Sequence, residues 1–368
     1  MKKIVWLKDV YPGDKLAQDI YSNSGTLLIA RGTTINQAII SRLARESITT
    51  VQVTTDDPNR PEAAPADGHG TALAIPTPSM TLGGNPVIKK NIDSARHIAE
   101  EVTRGRPIPV DIAQGIVREI SEQIIENKNI YIDLMGLRSK DNYTYEHSIG
   151  VCVIATTFFR SSALTREELN EVSMAALLHD IGKARIADEI LKKPGPLNDR
   201  EFEIIKQHPV LGYRIIKEDL KHHDIAHAAL QHHEREDGSG YPLGLVSGGI
   251  HRYAKIINIA DTFDAIVSER VYQEKRTPIK AFEEISRSIG KFDSSIYSSF
   301  INQFSQFYVG SPVTLNTGHK GSIVRIDAEY PGQPLIKVGE SIIDLKKIQG
   351  VFITEMMIRK GNIEWSTS

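Results

Sequence analysis

The pattern of apolar and polar residues changes twice along the 368-residue chain. Residues 87–307 carry apolar residues mostly at helical spacing, with few runs rich in β-branched residues between them. This middle part therefore predicts a mainly α domain. Its predicted helices cover residues 88–104, 110–127, 141–161, 166–181, 199–217, 222–233, 250–269, 277–290 and 295–307.

Residues 1–55 mix short β-type runs with one helix, which predicts a small α+β module. The β-type runs are residues 4–7, 26–29 and 50–53. The apolar stripe of the helix is Ile35, Ile39, Ile40 and Leu43. Thr33 or Thr34 is predicted to cap this helix. The module shows no chemistry of its own, so we expect a regulatory or dimerisation role.

Two further segments differ from the helical domain in composition. Residues 56–86 hold six of the 17 prolines and no aromatic residue, so they cannot bury a core and predict a flexible linker. Residues 308–368 alternate short β-branched runs with glycine, asparagine and proline turns. That alternation predicts a small β appendage at the C-terminus.

Composition limits the partners and the compartment. The net charge of -2 gives no overall attraction to a nucleic-acid polymer or to an anionic membrane. The single cysteine, Cys152, excludes an intramolecular disulfide and fits a reducing compartment. No window approaches the roughly 18 apolar residues of a membrane span, and the N-terminus shows no cleavage-type signal. We therefore predict a cytoplasmic protein that holds any anionic ligand at a local site.

Nine of the 12 histidines lie between residues 147 and 251, which suggests a metal site. Imidazole and carboxylate ligands suit Fe, Mn, Zn, Ni or Co, and the lack of thiolates argues against a cysteine-type zinc site. Helices that each deliver one or two ligands can converge on one centre. Any one histidine alone is also explained as a hydrogen-bonded core residue. The candidate ligands are His147, His179, Asp180, His208, His232, His233 and Asp261.

Five segments together resemble the HD-GYP family, a branch of the HD-domain metal phosphohydrolases. They are "HDIGK" (179–183), "ILKKPGPL" (190–197), "IIKQHPVLGY" (204–213), "HHEREDGSGYPLGL" (232–245) and "IINIADTFDAIVSERVY" (256–272). The first module also looks like the small domain that often precedes HD-GYP domains. The resemblance implies an HD-type helical bundle, and a bacterial phosphodiesterase that opens cyclic di-GMP to pGpG and commonly continues to GMP.

The resemblance also implies that the seven candidate residues are metal ligands and that Asp180 bridges two ions. A subgroup with three metals has a glutamate four residues before its first ligand histidine, where this chain has Tyr143. We therefore predict two divalent transition metal ions, first Fe or Mn, with Ni, Zn or Co as alternatives. The corresponding hypothesis for the reaction is in-line attack on the phosphate by a hydroxide that bridges the ions.

Four further residues are predicted to contact the substrate. Lys183 is expected to pair with the phosphate and to serve as a catalytic residue beside Asp180, although a lysine past a helix end is also explained by solvation. Arg270 and Tyr272 match the family's "RxY" element for phosphate or base contacts, while Gln273 replaces a common basic residue. Tyr241, in the "DGSGYP" loop, is expected in a pocket wall or a partner-docking surface.

Asp264 lies one helical turn after Asp261 and is expected either to orient a histidine or lysine or to lie on the surface.

Two alternatives to a cyclic di-GMP phosphodiesterase stay open. One is an enzyme for cyclic GMP-AMP, because the motifs determine metal chemistry and not base choice. The other is a receptor that binds a cyclic dinucleotide with little turnover. A homodimer and a protein partner at the loop also stay open.

Overall fold

The computed structural model describes residues 2–7, 10–21, 27–45, 50–54, 85–126, 143–159, 164–268 and 278–356. Within these ranges the chain forms, in order, a small N-terminal unit of strands and one helix, a helical middle part, and a C-terminal sheet. The predicted fold class, mainly α with an α+β module and a β appendage, is confirmed.

The N-terminal unit contains two small antiparallel sheets. Strand β5 (Thr50–Thr54) pairs with both β1 (Lys2–Trp6) and β2 (Lys15–Leu16), and β3 (Ile20–Tyr21) pairs with β4 (Leu27–Ile29). Its buried apolar residues form their own cluster, separate from the core of the helical part.

Helix α1 (Gln37–Arg45) begins later than its predicted cap. Asn36 Oδ1 accepts the backbone N–H of Ile39 at 2.9 Å, which is the hydrogen bond that a capping side chain makes. Thr34 instead forms an isolated β-bridge with Lys15. The predicted cap at Thr33 or Thr34 is therefore wrong.

The helices of the middle part follow the predicted order, with one additional short helix, Asp188–Leu191, that the sequence pattern did not predict. They are α2 (Pro86–Thr103), α3 (Val110–Glu126), α4 (Tyr143–Phe159), α5 (Arg166–Leu178), α6 (Asp188–Leu191), α7 (Asp199–Ile205), α8 (His208–Asp219), α9 (His223–Gln231), α10 (Arg252–Ser268), α11 (Pro278–Ser286) and α12 (Ser294–Ser305).

One predicted helix and one end of the predicted linker differ from the structure. The single helix predicted over 199–217 is wrong, because the chain forms α7 and α8 with a break at Lys206 and Gln207. Pro209 explains the break, since a proline has no N–H and is tolerated in the first turn of a helix. The predicted linker lies outside the described residues except at Asn85 and Pro86, where α2 begins.

Helix α4 lies at the centre of the core, because residues 149–159 are buried on all sides of the helix and are mostly apolar. Val151, Ile154 and Phe158 have no exposed surface. The Phe158 ring packs against that of Phe304 on α12, with centroids 4.0 Å apart. The second turn of α4 carries His147, so the rigid centre of the bundle also positions a candidate ligand.

The C-terminal sheet is antiparallel, in the order β10-β6-β7-β8-β9. Its strands are β6 (Pro312–Leu315), β7 (Lys320–Arg325), β8 (Leu335–Val338), β9 (Ser341–Asp344) and β10 (Ile353–Met356). The buried residues of the sheet, such as Val313 and Ile336, belong to the same hydrophobic cluster as the helices. The Tyr297 hydroxyl also donates to the Ala328 carbonyl at 3.1 Å. The sheet and α12 therefore share one core.

Within the described ranges, no helix combines the length and the apolar character needed to cross a membrane.

Candidate metal centre

Three of the candidate histidines follow helix ends, and each hydrogen-bonds to the helix that it follows. His179 follows α5, His208 follows α7 and His232 follows α9. The Nδ1 atoms donate hydrogen bonds of 2.7–2.8 Å to carbonyls three residues earlier, those of Ala176, Ile205 and Ala229. Helix ends leave such carbonyls without an intrahelical partner. With the ring proton assigned to Nδ1, each Nε2 has a free lone pair.

Asp180 lies between two pairs of histidine rings, with one carboxylate oxygen toward each pair. Its Oδ2 lies 3.4 Å from His179 Nε2 and 3.9 Å from His147 Nε2. Its Oδ1 lies 3.1 Å from His208 Nε2 and 3.8 Å from His232 Nε2. Two groups of ligand-type atoms, each spanning less than 4.8 Å, therefore share Asp180. One group holds His147, His179 and Asp180, and the other holds Asp180, His208, His232 and His233.

Helix α10 supplies two carboxylates on one side of the centre. Asp261 Oδ1 lies 3.0 Å from His147 Nε2, and its Oδ2 lies 3.9 Å from His233 Nδ1. Asp264, one turn later, has no exposed surface, and its Oδ2 lies 2.8 Å from His147 Nδ1. Asp264 therefore orients a histidine, the first of its two expected roles. The structure brings all seven candidate ligands to one place.

The charges of the centre depend on how carboxylates and rings pair. Burial alone would raise the pKa of Asp180, but the charges of Lys183 and His179 hold this pKa well below its usual range. Burial also lowers the pKa of His147, yet hydrogen bonds to Asp261 and Asp264 outweigh it and raise this pKa to about 10. Burial lowers the pKa of His233 to about 3. Without an ion, the protein therefore has anionic carboxylates, a cationic His147 and a neutral His233.

The donor atoms fit a divalent cation. Among the described residues, His179 Nε2 and Asp180 Oδ1 are buried without a hydrogen bond. The short contact between Asp180 Oδ1 and His208 Nε2 is not a hydrogen bond when the ring proton of His208 is on Nδ1. Leaving a buried polar atom unpaired costs about 1–3 kcal/mol, which a shared cation would offset. Imidazole and carboxylate donors without a thiolate suit Fe, Mn, Zn, Ni or Co.

The predicted substrate contacts are only partly described. Lys183 Nζ lies 2.5 Å from Asp180 Oδ2, and 27% of the Lys183 side chain is exposed. The lysine therefore lies between the candidate ligands and solvent. Arg270, Tyr272 and Gln273 lie outside the described residues, as does the side chain of Tyr143.

The loop after His233 returns to cover that histidine. The rings of His233 and Tyr241 stack with centroids 4.7 Å apart, and the Tyr241–Pro242 peptide bond is cis. Gly238 has a positive φ of +78°. At Gly240, a Cβ atom would lie only 2.4 Å from the backbone nitrogen of Arg235. The first glycine thus allows a left-handed turn, and the second allows two backbone segments to approach closely.

Glu234 fixes this loop, and the sequence reasoning missed it. The side chain is buried, and its two oxygens accept the backbone N–H groups of Leu243 at 2.7 Å and Leu245 at 2.9 Å. The Glu234 carbonyl accepts Asn258 Nδ2 at 2.6 Å. Asn258 lies on α10 three residues before Asp261, so the loop and α10 are connected through Glu234. A glutamate directly after two candidate ligands was the available signal.

Gly182 allows the two halves of the centre to meet. A Cβ atom at this position would lie 2.0 Å from the carbonyl oxygen of His208 and 2.5 Å from the nitrogen of Gly212. No side chain fits in that space, so the turn after Asp180 packs directly on the backbone of α8. This close approach brings His208 within 3.1 Å of Asp180.

Comparison with known proteins gives consistent matches. Residues 121–296 match the family model of the HD domain. The chain is 28% identical over 335 residues to a cyclic di-GMP phosphodiesterase of Pseudomonas aeruginosa, which covers 84% of this chain and 80% of that protein. It is 41% identical over 159 residues to a cyclic di-GMP phosphodiesterase of Thermotoga maritima, which covers 42% of this chain and 43% of that protein.

A third relative differs in its named substrate. The chain is 32% identical over 173 residues to a 3'3'-cGAMP-specific phosphodiesterase of Vibrio cholerae, which covers 46% of this chain and 40% of that protein. The chain thus matches less than half the length of the Thermotoga and Vibrio proteins.

Proposed function

Because residues 121–296 match the HD domain, we propose that this chain is a metal-dependent phosphodiesterase for cyclic di-GMP. The proposal is that water opens one phosphodiester to give pGpG, and that a second hydrolysis gives GMP. Asp180 carries the proposal, because its two oxygens face two histidine pairs. A shared carboxylate between two ligand groups is the arrangement that a two-metal phosphohydrolase needs. The named activities of the Pseudomonas and Thermotoga relatives support the choice of substrate.

We propose that this centre holds two divalent metal ions. Fe or Mn is the preferred identity, and Ni, Zn and Co are alternatives. One ion would be held by His147, His179, Asp180 and Asp261, and the other by Asp180, His208, His232 and His233. When bound, such ions supply positive charge for the phosphate oxygens and lower the pKa of the attacking water. The backbone hydrogen bonds at Nδ1 support this assignment, because they direct Nε2 of three histidines toward Asp180.

The protein's own residues would orient the phosphate and balance its charge. Lys183 lies 2.5 Å from Asp180, so a phosphate next to Asp180 would be within reach of the ammonium group. That contact would offset the charge that builds on the phosphate oxygens during attack. Tyr241 would form the opposite wall, stacked on His233. Arg270 and Tyr272 are proposed to contact phosphate or base.

A second substrate, cyclic GMP-AMP, is favoured by one observation. The Vibrio cholerae relative is named as specific for 3'3'-cGAMP and is 32% identical over its aligned part. The two substrates differ only in one base, so the metal centre would serve either. Discrimination then depends on residues that contact the base and not on the seven ligands.

Turnover by the metal-replete chain tests the proposal. After anaerobic purification, we expect the chain to convert cyclic di-GMP to pGpG and GMP. Chromatography measures these products, and 3'3'-cGAMP is added as a competing substrate. Asp180→Asn should abolish turnover of both. Asp199→Asn is the matched control, because Asp199 is exposed at the start of α7. An Asp180→Asn protein that still hydrolyses a cyclic dinucleotide would contradict the proposal. So would a wild-type chain that hydrolyses none.

We propose that residues 1–55 form a regulatory or dimerisation module, joined by the linker 56–86 to a catalytic domain at 87–307 and an appendage at 308–368. The separate hydrophobic cluster of the N-terminal unit supports a module with its own core. Removing residues 1–86 should change either the regulation of turnover or the oligomeric state. A truncated chain with unchanged turnover and unchanged oligomeric state would contradict that role.

A further inference from the structure

A cavity of about 360 Å³ lies beside the metal centre, between α2, the start of α4 and the 3₁₀ turn Ile181–Arg185. Asp180 and Lys183 both line it. We propose that this cavity holds one purine nucleoside half of the cyclic dinucleotide while the scissile phosphate lies at the metal centre. The inference rests on the proposed function and adds the place at which the substrate's base is bound.

The walls of the cavity suit a flat aromatic group. Helix α2 contributes small and branched apolar side chains, and the segment around the 3₁₀ turn contributes larger ones. The α2 residues are Ala95, Ile98 and Ala99, and the others are Leu178, Ile181 and Ile186. A purine ring buries apolar surface on both of its faces when it lies between such walls.

Hydroxyl groups line the same cavity and suit the polar edge of a base or a ribose. Thr103, Thr144 and Ser148 all line it. Thr103 Oγ1 donates to the Ala99 carbonyl at 2.8 Å, and Ser148 Oγ donates to the Thr144 carbonyl at 3.2 Å. Because these hydroxyl protons are used within the helices, the Thr103 and Ser148 oxygens offer lone pairs. They can therefore accept hydrogen bonds from amino or hydroxyl groups of a nucleoside.

The position and size of the cavity fit half of the substrate. Small-molecule sites have volumes of roughly 300–1,000 Å³, and this cavity lies near the lower end of that range. Lys183 lines the cavity and also contacts Asp180, so a phosphate between them would have its nucleoside directed along α2. The other half of the dinucleotide would then lie on the side of His233 and Tyr241.

Filling the cavity from α2 tests the inference. Ala99→Leu adds bulk to the cavity wall, and Ser94→Leu is the matched control because Ser94 lies on α2 but does not line the cavity. Each variant is given cyclic di-GMP and, separately, bis(p-nitrophenyl) phosphate, a phosphodiester without base or ribose. We expect Ala99→Leu to lower the ratio of the two kcat/KM values at least about tenfold, mainly through KM. Ser94→Leu should keep the wild-type ratio.

A ratio that stays within about twofold of wild type in Ala99→Leu would overturn the inference. Thr103→Leu carries the same test if the first variant does not fold, because Thr103 is exposed and lines the same cavity. A wild-type chain that hydrolyses bis(p-nitrophenyl) phosphate but not cyclic di-GMP would contradict the proposed function instead. In that case the nucleoside site is tested with GMP as an inhibitor of bis(p-nitrophenyl) phosphate hydrolysis by the wild type and by Ala99→Leu. Weaker inhibition of Ala99→Leu supports the nucleoside site, and equal inhibition of both proteins overturns it.

Discussion

Oδ2 of Asp264 lies 2.8 Å from Nδ1 of His147, although the two residues are 117 positions apart in the chain. Asp264 has no exposed surface, and a buried carboxylate without a partner would cost several kcal/mol. The contact therefore stabilises Asp264 and fixes the His147 ring with its Nε2 toward Asp180 and Asp261. A carboxylate behind a ligand histidine also raises the basicity of the ligand.

Replacing Asp264 by alanine should weaken metal binding about 10–100-fold, because the His147 ring loses the partner that orients it. Asp264→Asn keeps a hydrogen-bond acceptor for the His147 ring, so it should lose less metal affinity than Asp264→Ala. Competition with a chelator of known affinity measures both variants. Equal metal affinity of wild type and Asp264→Ala would show that the contact does not support the centre.

Gly182→Ala should disrupt the packing of the turn after Asp180 on α8. The added Cβ would lie 2.0 Å from a backbone oxygen of His208, so the two segments must separate. We expect a loss of about 1–3 kcal/mol in the free energy of unfolding, together with reduced turnover. Gly248→Ala is the control, because nothing lies within 4 Å of its added Cβ. Denaturant unfolding measures both variants, and similar stabilities would contradict the prediction.

Metal binding should release a proton from His147. The pKa of His147 is raised to about 10 in the metal-free protein, so below that pH the ring is charged and cannot act as a ligand. Affinity should therefore rise with pH up to about 10 and then level off. His233, with its pKa lowered to about 3, adds no proton at neutral pH. Calorimetry at pH 7 in buffers of different ionisation enthalpy measures the release, and a buffer-independent heat would refute it.

Glu234→Ala should loosen the loop that carries Tyr241. The backbone N–H groups of Leu243 and Leu245 would lose their acceptor, and each such loss costs about 1–3 kcal/mol when the group stays buried. We expect lower stability and a higher KM for the dinucleotide, while Glu189→Ala, on an exposed position of α6, changes neither. Steady-state kinetics and thermal unfolding decide the point. A Glu234→Ala protein with wild-type KM and stability would rule out the role.

Most candidate ligands could be identified from sequence because histidine and aspartate are conspicuous where apolar helices end. His179 and Asp180 stand out in this way after the run that forms α5. His147 and Asp261 stand out instead as polar residues beside apolar runs within helices. The role of Asp264 could not be decided, because a helix pattern does not show which face meets His147. Glu234 was missed because its partners are backbone N–H groups, which leave no trace in the residue types of Leu243 and Leu245.

The predicted cap of α1 was wrong because several neighbouring residues are of types that can cap a helix. Thr33, Thr34 and Asn36 are all good capping residues, and only the β-bridge of Thr34 to Lys15 leaves Asn36 to begin α1. The close contact of Gly182 with His208 was also hidden, because sequence does not show which distant backbone will approach a glycine. Pro209 marks the start of α8, but the helix predicted over 199–217 ran past it because its apolar residues keep a helical spacing on both sides of the proline.

The most direct test of the central claim is metal content measured beside turnover, for anaerobically purified wild type and Asp180→Ala. Asp180 is the residue that both ligand groups share, so its loss should impair both halves of the centre. We predict about two ions per wild-type chain with hydrolysis of cyclic di-GMP, and loss of both ions and activity in the variant. Three ions per chain, or an Asp180→Ala protein that retains its metal and its turnover, would contradict the account.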